Sequence, residues 1–176
     1  MKAKRVVVLF AVLLTAGLPL LAGDQKPFKG WVQALGDPDY NVNPLDYPYL
    51  SEIIQQRGSP LLTQIQLYQG INNVGGLSIH ENVQMVYLGS APGTIDIYED
   101  SVITVANGDQ IFVEIAGSVI YGVWEWTFTE TVVGGTGRFE GAGGSIVAKA
   151  GLNKDGDPIV IYDGGYITTV GAAKKK

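Results

Sequence analysis

The chain has no cysteine, one histidine and two methionines among its 176 residues. Without thiols there is no disulfide framework, no thiolate metal site and no cysteine nucleophile, so stability must come from packing. A zinc-type site needs three or four Cys, His or carboxylate ligands, and His80 alone does not begin one. Basic residues are scarce too. Beyond residue 23 there are 9 Lys and Arg against 17 Asp and Glu, and Lys174, Lys175 and Lys176 account for three of the nine. An acidic body with no basic stripe argues against nucleic acid and anionic membranes as partners, because both need cations facing phosphates. The loop Asn153 to Asp157 falls short of a calcium loop, with Gly151 and Tyr162 at its first and twelfth positions. There is no Gly-x-Ser-x-Gly elbow and no phosphate-loop spacing. No metal and no organic cofactor are expected.

Long apolar runs are also missing, with one exception at the start. Lys2, Lys4 and Arg5 precede the run Val6 to Leu14, and Pro19 to Gly23 offers a processing region, so residues 1–23 read as an export signal. Secretion or a periplasmic location is the expectation. The competing reading is an uncleaved membrane anchor, for which the run is short. A lipid anchor is excluded because Asp24 stands where the acylated cysteine would be. Residues 172–176 form a lysine-rich tail.

What is abundant is strand-forming sequence punctuated by turns. Phe28 to Val32, Leu62 to Tyr68, Val83 to Leu88, Thr94 to Val105, Gln110 to Ile120, Val123 to Val133, Ser145 to Ala150, Ile159 to Tyr162 and Tyr166 to Val170 are candidate strands. Asn107-Gly108 marks a hairpin, since both residues accept φ > 0. Gly134 to Gly144, GGTGRFEGAGG, reads as a sharply bent crossing between two strands. Residues 36–60 differ: four prolines, three aspartates and several tyrosines break up any sheet. Within them Ser51 to Gly58 reads as a short helix, capped by Ser51 and closed by Gly58. This segment is expected to form a flap over one end of the sheet. Eight or nine short strands with almost no helix imply a single all-β domain over residues 24–171. Closure into an antiparallel barrel is favoured because it removes exposed edges.

Candidate site residues cluster on one strand. Trp124, Trp126, Phe128, Glu130 and Val132 share a face at period two, while Glu125, Thr127, Thr129 and Thr131 take the other. The aromatic stripe is either core packing or the wall of a pocket for an apolar or flat molecule. Burial of Glu130 at the end of the stripe would raise its pKa, as a general acid requires; the bland reading is a rim carboxylate bonded to backbone or water. His80 is the one side chain expected to titrate near neutrality unaided, at a strand edge. His80 and Tyr121 are the candidate assistants to Glu130.

The segment Val133 to Ala142 resembles the GGTGRFxGAxG stretch of a group of uncharacterised exported bacterial proteins. Phe128 to Thr131, Pro27 to Gly30 and Ala106 to Asp109 are similar to other parts of that group. The same glycine segment resembles those of allene oxide cyclases and dirigent proteins. That resemblance implies an eight-stranded antiparallel barrel, a cavity for an apolar guest, no organic cofactor and a homo-oligomer, commonly a trimer. It carries over no catalytic residue. The expected function is a non-catalytic binding or interaction module for a small apolar ligand, held beneath the flap. The alternatives are a cofactor-free cyclase or isomerase and a structural envelope protein.

Overall fold

A computed structural model describes residues 24–123 and 125–169. The signal-like residues 1–23, Trp124 and the lysine tail lie outside the described residues. Eight strands follow one another around a closed antiparallel barrel in sequence order. They are β1 (Asp24–Ala34), β2 (Leu62–Asn72), β3 (Gly76–Leu88), β4 (Thr94–Val105), β5 (Gln110–Ile120), β6 (Trp126–Gly135), β7 (Gly144–Leu152) and β8 (Pro158–Thr169). The all-β barrel with one short helix is therefore the architecture. The expected stretch Ile159 to Tyr162 and the described part of the stretch Tyr166 to Val170, which ends at Thr169, do not form separate strands. They are one strand, β8, kinked where its register with β7 skips between Ile146↔Gly165 and Ala148↔Tyr162. Gly165, at φ 80°, supplies the backbone for that bulge.

Alternation places Phe28, Val32, Ile103, Ile111, Val113, Val132, Ile146, Val160 and Ile167 inside, where they make the main core. The glycine crossing corks one end. Its Gly137–Phe139 turn tucks Phe139 into that core, 1% exposed. Gly137 takes φ 58° hard against the Asp109 carboxylate, a conformation and a closeness that a β-carbon would forbid.

Residues 36–60 depart from the flap expectation. The helix α1 spans Pro48–Arg57, so Ser51 lies inside it instead of capping it; Pro48 opens the first turn and Gly58 ends it at φ 79°. Nor does the segment cover a barrel end. Leu50 joins Val83, Met85 and Tyr87 in a second core, with Ile53, Ile54, Ile65 and Tyr98 packed on it. Val83, Met85 and Tyr87 are outward residues of β3, so α1 is a strap on the outer wall. Arg57 fastens its end. It lies 2.7 Å from both Asp96 Oδ2 and the Tyr98 hydroxyl, over the Tyr87 ring.

The strap inverts the polarity of the wall beneath it. Because β3 turns its apolar residues out to α1, the alternate set Ser78, His80, Asn82 and Gln84 must face in. One side of the lumen is consequently polar.

A buried acid network beside an open seam

The inward polar residues are tied together. The Gln64 amide donates to Gln84 Oε1 at 2.9 Å, and the Gln84 amide donates to Glu99 Oε1. The Asn82 amide donates to the other Glu99 oxygen at 3.2 Å, and the Ser101 hydroxyl to Asn82 Oδ1 at 2.8 Å. Across the lumen the Tyr162 hydroxyl lies 3.1 Å from His80 Nδ1, with Ser78 Oγ 3.1 Å from Nε2. The two rings stack at 5.6 Å, and Phe28 meets Tyr162 edge-on at 5.2 Å.

His80 is thus not at an edge and does not titrate near neutrality. It is 1% exposed, and burial pushes its pKa down to about 3. Each ring nitrogen faces a hydroxyl, and burial keeps the imidazole neutral. Tyr121 is not brought to the site: it is 77% exposed in the turn after β5. The phenol that does reach His80 is Tyr162.

Glu130 faces inward, as its phase with Phe128 and Val132 requires, and is 3% exposed. Burial, then the nearby charge of Glu99, push its pKa up to about 8, against a hydrogen bond with Tyr162 that lowers it. Burial also raises Glu99, opposed by the amides of Gln84 and Asn82. Those two donors favour the ionised form at Glu99, so of the two carboxyls Glu130 holds its proton the more firmly. Both residues are cross-strand neighbours of Ile115. Two strand spacings place their α-carbons about 10 Å apart, close enough for both side chains to reach one bound molecule.

The network opens sideways. Among the described residues, the β5–β6 ladder ends at Ile115↔Glu130. Beyond it β5 still pairs with β4 up to Ile120, and β6 with β7 from Trp126, but not with each other. A cleft of about 330 Å³ fills the parting, lined by Glu99, Ile97, Gly117, Trp126 and Phe128 among others. Trp126 and Phe128 are half-buried there; they are wall, not sealed core. Sequence reasoning missed Glu99, although Ile97, Ile103 and Val105 share its phase and mark that face as inward. It missed Tyr162 for the same reason, beside Val160.

No family model matches the chain, and no curated protein matches it. Among solved structures it is similar to a pyocyanin demethylase, at 14% identity and TM-score 0.45, over 82% of this chain and 100% of the other. It is also similar to a pterocarpan synthase dirigent protein, at 17% identity and TM-score 0.46, over 90% of this chain and 99% of that one. Neither likeness carries chemistry across.

Proposed function

We propose that the barrel is an exported module that binds one small, flat, largely apolar molecule bearing a hydrogen-bonding group. The observation that carries this is the buried Glu99–Glu130 pair opening onto an aromatic-walled cleft. Apolar walls hold the body of such a molecule, and a few convergent polar groups fix its orientation. Glu130 offers a proton to a carbonyl or ring nitrogen, and Glu99 accepts from an N–H or O–H.

Gly117 allows a direct test. It lines the cleft, a β-carbon there would meet nothing within 4 Å, and its φ is not positive. Gly117→Leu therefore fills the cleft without straining the fold. Titration with N-phenyl-1-naphthylamine, a neutral aromatic amine, should show saturable fluorescence enhancement for the native chain and none for Gly117→Leu at unchanged melting temperature. Equal binding by both proteins removes the reading.

The unequal environments of the two carboxyls, amides on Glu99 and burial at Glu130, favour a second reading, a cofactor-free isomerase. With an enolisable ketone bound, Glu99 takes the α-proton while the Glu130 proton passes to the carbonyl oxygen, leaving the enol. In D2O, 2-tetralone should then exchange its α-protons faster than background, and Glu130→Gln should abolish the excess. Exchange at background rate in the native chain leaves binding alone.

A further inference from the structure

We propose that the parting between β5 and β6 is the door of the lumen: the ligand enters sideways, and the two strands zip together over it. This rests on the binding reading above. Three structural observations support it.

Phe139 fills one end of the barrel, and the cleft at the seam is an opening that reaches Glu99. Next, the register runs on without conflict. Among the described residues, Glu114↔Thr131 and Ile115↔Glu130 are the last pairs formed. Continuing them would bring Ala116 to Thr129, Gly117 to Phe128, Ser118 to Thr127 and Val119 to Trp126, with no bulge in between. Third, the residues suit closure. Ala116, Gly117 and Ser118 are small, so the first three β5 positions beyond Ile115 set nothing bulky against β6; Val119 is the first larger side chain.

Two facing strand edges with no strand partner are an unusual feature for a barrel, because each presents free N–H and C=O groups. Here they flank the cleft, so the same groups can bond the rim of a flat ligand while the door is open. They then pair with each other once the ligand has passed inward. The point of parting also has a fixed neighbour: the Tyr49 hydroxyl of the strap donates to the Ile115 carbonyl at 3.3 Å. A molecule with a flat aromatic body and hydrogen-bonding edges is the class this opening admits.

The absence of native cysteine makes the test clean. In the full chain, Ala116→Cys with Thr129→Cys places two thiols on the outer face, opposed in the continued register and clear of the lumen. Oxidation should form one disulfide, read as loss of free thiol. Stopped-flow mixing with N-phenyl-1-naphthylamine should then show association slowed roughly tenfold or more against the reduced variant. Probe loaded before oxidation should be retained through gel filtration, and reduction should release it.

If the disulfide does not form, the strands do not meet in this register and the proposal fails. Equal association rates for oxidised and reduced protein also overturn it, while leaving lumen binding intact. Absence of probe binding in the native chain overturns the binding reading itself, and the door with it.

Discussion

Glu99 on β4 and Glu130 on β6 flank Ile115 on the inner wall, each a direct cross-strand neighbour of it, yet the two hold their protons differently. Two amides bond Glu99. Glu130 is buried and feels the charge of Glu99, and these outweigh its hydrogen bond with Tyr162, so its pKa rises to about 8.

That difference makes stability depend on pH. In the unfolded chain Glu130 ionises near 4.5, whereas in the barrel it does so near 8. Between those values the folded state holds the extra proton, so its contribution is fully present below 4.5 and is lost as pH rises toward 8. Urea unfolding of the native chain should show falling stability across the upper part of this range. Glu130→Gln, which cannot ionise, should flatten that slope.

His80 acts with the opposite sign. It is neutral in the barrel down to about pH 3 but protonates near 6.5 when unfolded. Its contribution is present above 6.5 and is lost as pH falls toward 3. As the chain's single histidine, it gives one unambiguous ring resonance by NMR. That resonance should not move between pH 8 and pH 4. A midpoint near 6.5 would mean the side chain is not sealed in.

Tyr162→Phe removes the hydroxyl between His80 and Glu130. His80 Nδ1 then loses its partner inside the barrel, a loss of about 1–3 kcal/mol. The hydrogen bond that holds Glu130 down goes with it, so the Glu130 pKa should climb further. Infrared titration of the carboxyl stretch, compared between native chain and variant, reads that shift.

Phe139→Ala uncorks the end of the barrel. Deleting a fully buried aromatic from a packed core costs about 3–5 kcal/mol. Calorimetry should show a large drop in melting temperature. A loss under about 1 kcal/mol would mean Phe139 is peripheral.

Arg57 ties α1 to the outer wall through Asp96, whose own carboxyl is held low by Ser118 and then by Arg57. Arg57→Met should speed hydrogen exchange in residues 48–57 while the amides of β5 to β8 stay protected. Uniform acceleration would show that the strap and barrel open as one unit.

Much of this architecture is determined by local sequence. Asn107-Gly108 makes its hairpin, with Gly108 at φ 86°, because few other residues accept that backbone. Glu130 points inward because the Thr residues alternating with it and Phe128 leave β6 one choice of face. The inward phase of Glu99 was equally readable beside Ile97 and Ile103.

The polar lumen was decided only in three dimensions. By pattern alone, Val83, Met85 and Tyr87 are the core of β3, and His80, Asn82 and Gln84 its wet side. The strap reverses this by burying the first set from outside, a contact between segments some thirty residues apart that no local period encodes. Likewise Tyr162 meets His80 across 82 residues of chain. The seam at Ile115 depends on where two ladders stop, and strand periodicity is blind to that. Alternation assigns side chains to two faces; which face becomes the inside depends on what else the chain lays against them.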